Sequence, residues 1–133
     1  MRGYLTVTGL HPSGTGTATF KIPSSAVEHF QRHGPGHKFF DALLIADVVK
    51  APAAIFKGLK REEQEGGICY AGIPPRRYQD HHITVPPRPG MTFAVFMNAN
   101  KVIFEWRWEK ADPGKPEYPI NSSERFEKVL WSR

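Results

Sequence analysis

The chain has 133 residues, 40% of them hydrophobic and 23% charged, which excludes a disordered or collagen-like polymer and predicts one globular domain. Eighteen Lys and Arg against thirteen Asp and Glu leave a net charge of +5, a balance that favours anionic partners, nucleic acid first. One cysteine rules out an intrachain disulfide and a cysteine-based zinc cage.

In chain order, Gly3 to Ile22 reads as a β-hairpin: Tyr4, Leu5, Val7 and Leu10 precede a turn-rich His11-Pro12-Ser13-Gly14-Thr15-Gly16, and β-branched residues resume at Thr17. Ser25-Ala26-Val27-Glu28 fits a capping box, predicting a short helix to about His33, where Gly34-Pro35-Gly36 ends it. A second helix is expected from about Lys38, with Phe39, Phe40, Leu43, Leu44, Asp47 and Val48 mixing into an apolar stripe and Pro52 closing it. Ala53 to Gly58 fits a short strand or a helical turn. Lys60 to Gly67 is a charged loop, and Ile68 to Ile73 a strand.

Pro74 to Gly90 is the least regular stretch, with five prolines and the cluster Arg76, Arg77, Tyr78, His81, His82 and Arg88. A long loop of this kind in a compact domain is functional or disordered. Met91 to Met97 is nearly all apolar, as in a strand buried on both faces. Asn98-Ala99-Asn100 offers the left-handed residues of a tight turn. Lys101 to Glu109 then alternates, with Val102, Phe104, Trp106 and Trp108 on one face and Ile103, Glu105, Arg107 and Glu109 on the other. Pro113 to Pro119 reads as an extended linker. Asn121-Ser122-Ser123-Glu124 is a second capping signal, ahead of a terminal helix with Phe126, Val129 and Leu130 as its buried stripe. The expected architecture is α+β: an antiparallel sheet, made of the N-terminal hairpin and a central meander, packed against two or three helices.

The start of the chain lacks the apolar run of a signal peptide, and its longest apolar-leaning stretch, Ala42 to Val49, is too short to span a bilayer. A cytoplasmic location without membrane attachment is the expectation, although a protein exported by a signal-less route has the same signature.

Hydrolase and phosphate-loop signatures are absent: no G-x-S-x-G, H-E-x-x-H or G-x-x-x-x-G-K-[ST] occurs. His29, His33 and His37 stand four residues apart, but the Gly34-Pro35-Gly36 break separates His37 from the others, so no metal site and no cofactor are expected. Cys69 lies in an apolar strand and reads as a core thiol. The basic and aromatic cluster is the strongest functional lead. Metal-free RNA cleavage needs a base for the 2′-hydroxyl, an acid for the leaving oxygen and cations for the phosphate charge. His37, at a helix start, suits the base, and His33, at a helix end, suits the acid. Both also fit the blander role of helix-end capping. Arg107 is the candidate cation on the sheet, and Arg76, Arg77, Tyr78, His82 and Arg88 are the candidate RNA-binding residues.

Three stretches, RHGPGHKFFDALLIADVVKAPAAIFKG, GGICYAGIPPRR and FAVFMNANKVIFEWRWE, resemble the layout of the barnase–EndoU–colicin–RelE group of small nucleases, phage-associated members especially. The resemblance covers about Arg32 to Glu109. It implies a helical part carrying a histidine, His33 or His37, ahead of a four-stranded antiparallel sheet that binds RNA, with Arg76, Arg77 and Arg107 as its cations. The implied reaction is metal-independent internal transesterification, leaving a 2′,3′-cyclic phosphate and a 5′-hydroxyl. The same group includes members without catalytic residues, so two other readings stay open. One is a non-catalytic module binding RNA or an acidic protein through the same basic surface. The other is an interaction protein that docks a protein partner through Tyr118, Trp131 and the proline-rich segment. Convergence of the histidines and arginines in one concave site favours the enzyme, and their dispersal favours a module. Oligomeric state is not legible.

Overall fold

The computed structural model describes residues 4–25, 38–59, 67–74, 79–80, 83–84 and 89–133. Strands β1 (Tyr4–Leu10) and β2 (Thr17–Pro23) form the expected hairpin, paired from Leu10 opposite Thr17 to Tyr4 opposite Pro23. Helix α1 (Lys38–Lys50) follows at the expected place, but the face it buries is Leu44, Ile45, Val48 and Val49, while Leu43 of the expected stripe is exposed. Most of the shorter helix expected from Ser25 to His33 lies outside the described residues.

Strands β3 (Ala54–Leu59), β4 (Ile68–Gly72), β7 (Met91–Met97) and β8 (Ile103–Asp112) make an antiparallel meander in that order. The segment from Ala53 thus settles as strand. Between β4 and β7, the stretch read as a loop carries a two-residue ladder, β5 (Gln79–Asp80) paired with β6 (Ile83–Thr84). The sheet is extended at one edge by β9 (Lys115–Pro119) and at the other by β10 (Phe126–Ser132), giving the order β10-β3-β4-β7-β8-β9. The fold is α+β.

Two expectations fail at the C-terminal end. The linker Pro113 to Pro119 is a hairpin return: Asp112 pairs with Lys115 across a turn in which Asp112 Oδ1 accepts the Gly114 N–H at 2.9 Å. The terminal helix is a single turn, α2 (Ser122–Arg125), and Phe126 onward is strand. Asn121 does not cap α2 with its side chain. It sits in the left-handed region at φ 59, a conformation Asn tolerates, and its carbonyl accepts the N–H groups of Glu124 and Arg125. Pairing with β3 outweighs the helical spacing of Phe126, Val129 and Leu130, because it removes the exposed edge β3 would otherwise present.

The register sorts the meander into rows. Ile55, Tyr70, Val95 and Trp106 line up on one face, which α1 and the β1–β2 hairpin cover with Phe20, Ile22, Ile45, Val48 and Val49. Ala54, Ala71, Ala94 and Arg107 line up on the other face, and next to them Phe56, Cys69, Phe96 and Glu105. Trp106 is buried and Trp108 half-buried on the helix side, as the alternation predicts. The pattern misplaces two residues: a bulge where Phe96 faces Glu105 and Met97 faces Ile103 puts Ile103 in the helix-side core and Phe104 against the opposite cluster. The β7–β8 turn also differs. Lys101, not an asparagine, holds φ 63, while Asn98 Oδ1 accepts the N–H groups of Asn100 and Val102.

The alanine row leaves room on its face, and the sheet curls around it. Tyr118 of β9 meets Phe56 of β3 edge to face at 5.2 Å, although three strands separate them in the sheet. Phe56 in turn stacks on Phe126 at 4.7 Å. The Tyr118 and Ser132 hydroxyls hydrogen-bond at 2.5 Å, and Arg133 reaches Glu117 at 3.5 Å. Thr92 Oγ1, buried under β9, lies within hydrogen-bond range of the Gly72 and Glu117 carbonyls.

On the helix side, the hairpin is fastened at two points. The buried Tyr70 hydroxyl donates to the Leu10 carbonyl at 2.6 Å while its ring meets Phe20. The turn holding Gly14 rests on Trp131 of β10, so a Cβ at Gly14 would overlap the indole. Among the described residues, no helix is long and apolar enough to cross a membrane.

Candidate functional site

Of the candidate site residues, Arg107 is described. His33, His37, Arg76, Arg77, Tyr78, His82 and Arg88 lie outside the described residues. What the structure defines is where the segments carrying them are anchored. The connection from β4 to β7 leaves at Gly72 and returns at Met91, on two adjacent central strands, with Gly72 opposite Phe93 and Phe93 opposite Trp108. Arg107 stands in the neighbouring row, one residue step of about 3.4 Å along β8. Arg107 itself stands mid-strand, opposite Ala94, one row from the Gly72 root of the arginine-rich connection and three rows from its Met91 root.

Arg107 projects from the face opposite α1. Its guanidinium lies over the Phe96 ring, 4.4 Å from the centroid. Its Nε donates to Glu109 Oε1 at 2.9 Å, and its Nη1 approaches Glu105 Oε2 at 3.7 Å. Residues 105, 107 and 109 share a face because a strand repeats every two residues. The Glu109 carboxylate is only 10% exposed, and burying it unpaired would cost several kcal/mol. Arg125, the last residue of α2, compensates it with Nη1 on Oε2 at 2.6 Å and Nη2 on Oε1 at 3.0 Å. Arg125 also lies over Phe126, 5.3 Å from the ring centroid.

The expected sheet-face cation thus belongs to a four-membered charge cluster, Glu105, Arg107, Glu109 and Arg125. Alternation along β8 makes the first three legible. Arg125 has no such signal, since its partner is sixteen residues away in sequence and the turn that carries it reads locally as the start of a terminal helix.

α1 covers one face of the sheet and Arg107 stands on the other.

A separate cleft of about 240 Å³ opens on the Arg107 side, between the sheet edges, with Phe56, Tyr118 and Phe126 as its floor and Lys115 and Lys128 on its rim. It is smaller than ordinary small-molecule pockets, which start at roughly 300 Å³. Residues 101–133 carry seven Lys and Arg against six Asp and Glu, so this end of the chain is almost neutral. Residues 74–90 carry three arginines against one aspartate.

No protein-family model matches the chain, and neither does any curated protein or solved structure.

Proposed function

We propose that the chain binds RNA through the arginine-rich connection between β4 and β7 together with Arg107. The observation carrying this reading is the register: Gly72, where that connection leaves the sheet, is one row from Arg107, and Met91, where it returns, is three rows away. Charge supports it, since the connection is basic and the rest of the sheet beyond residue 100 is nearly balanced. Fold by itself assigns no function, so the reading rests on charge placement rather than on architecture.

The test is binding of a single-stranded RNA by the full chain across a salt series. Each phosphate contact contributes a slope of roughly 0.7 in log K against log salt for single strands. Replacing Arg76 and Arg77 together with Ala should reduce the slope by about two such contacts. Absence of binding at low salt removes the reading.

Metal-independent cleavage is the second reading, favoured by the order of a helix ahead of a four-stranded antiparallel meander, which is the order the nuclease resemblance implies. It requires His37 or His33 to reach the phosphate that Arg107 contacts, past the sheet that separates α1 from Arg107. RNA turnover in EDTA decides it. A general acid or base contributes about 100- to 10,000-fold, so losses under threefold in both His37→Ala and His33→Ala end that assignment.

A further inference from the structure

We infer that Arg125 is a positioning residue, which through Glu109 sets the orientation and the effective charge of the Arg107 guanidinium where it meets RNA. The inference rests on the RNA-binding reading above.

The hydrogen bonds are unequal. Arg125 addresses both Glu109 oxygens, at 2.6 and 3.0 Å, whereas Arg107 meets Glu109 through Nε at 2.9 Å and Glu105 through Nη1 at 3.7 Å. The two-point contact neutralises most of the carboxylate's charge, so Glu109 holds Arg107 less strongly than it would without Arg125. Without Arg125, Glu109 would keep its burial and lose its stronger partner. Arg107 would then be drawn into a full ion pair with it, turning from its place over Phe96 and giving up charge available to an external phosphate.

Arg125 is itself held rigidly. It packs over Phe126 and lies 3.4 Å from the Ile120 carbonyl, and the turn that carries it is fixed by the left-handed Asn121. A lysine at this position keeps the charge but cannot make the two-point contact, because its ammonium is a single point.

The experiment compares wild type, Arg107→Ala, Arg125→Lys and Arg133→Lys. Each is measured for single-stranded RNA affinity across a salt series and for stability in urea. Arg133 is the matched control, an exposed arginine with a 3.5 Å pair to Glu117. Arg125→Lys should weaken binding about tenfold, the size of one charge-assisted hydrogen bond, and lower the salt slope as Arg107→Ala does. Arg133→Lys should leave both unchanged. A purely structural role would move the urea midpoint of Arg125→Lys without moving the slope, since net charge is conserved.

Wild-type slope and affinity retained in Arg125→Lys, beside a real loss in Arg107→Ala, overturn this inference alone and leave Arg125 as a staple between α2 and β8. No loss in Arg107→Ala also overturns it. No binding by wild type at low salt overturns the RNA reading and this inference together. Should Arg125→Lys fail to fold, Arg125→Gln serves in its place, with its salt slope read against Arg133→Gln, which loses the same charge.

Discussion

Replacing Gly14 with Ala tests whether the tip of the N-terminal hairpin rests on the last strand. Two separate costs arise. Gly14 holds φ +86, where an L-residue loses about 1–2 kcal/mol. Its new Cβ would also enter the space of the Trp131 ring, and displacing a packed side chain costs about 1–3 kcal/mol. Their sum, about 2–5 kcal/mol, is a large share of the roughly 5–15 kcal/mol that holds such a domain together. Urea unfolding of wild type, Gly14→Ala, Trp131→Ala and the double variant separates the two. With the indole removed, Gly14→Ala should retain only the backbone cost, so the coupling should equal the steric part, about 1–3 kcal/mol. An equal cost in both backgrounds would refute the contact, and a loss under about 0.5 kcal/mol in wild type would refute the turn geometry as well.

Two further predictions concern the two cores. Phe56→Ala removes a fully buried ring that contacts both Phe126 and Tyr118, and should destabilise by about 3–5 kcal/mol in urea; a loss near 1 kcal/mol would mean that the curled face is not packed. Burial pushes the Tyr70 hydroxyl well above the usual tyrosine value of 10.0. Above pH 10 the unfolded chain loses this proton while the folded chain keeps it, so folding stability should fall as pH rises. Tyr70→Phe should remove that part of the fall, seen as a shallower decline in urea stability between pH 9 and 11 than in wild type, roughly that of one tyrosine; an unchanged decline would contradict the burial of this group.

The central hairpin was legible because both its signals are local: Met91 to Met97 is a continuous apolar run, and Trp106 and Trp108 alternate with charged residues. The faces of Ile103 and Phe104 were not, since one extra residue at a bulge leaves no mark in a polar–apolar pattern. At Phe126 to Ser132 the local signal points the wrong way. Phe126, Val129 and Leu130 have helical spacing, and only an open edge on β3, more than sixty residues earlier, makes strand the better state. Pro116 and Pro119 disguised β9 in the same manner, because proline argues against a central strand yet suits an edge one. At the site, residue type made Arg107 a candidate, and β-alternation placed it with Glu105 and Glu109. Its link to Arg125 is a tertiary contact with no periodicity to reveal it.

The partnership of β3 with β10 gives the order of synthesis a cost. Leu59 waits for Phe126, and Ala54 for Ser132, a delay of about seventy residues. At roughly 5–20 residues per second, β3 spends about 4–14 seconds with its outer edge unoccupied. Ala54, Ile55 and Phe56 are apolar and uncharged, so in that interval the nascent chain carries an adhesive strand that the finished molecule hides. Slowing translation across residues 60–125 should therefore lower the soluble yield without altering a single contact of the folded protein.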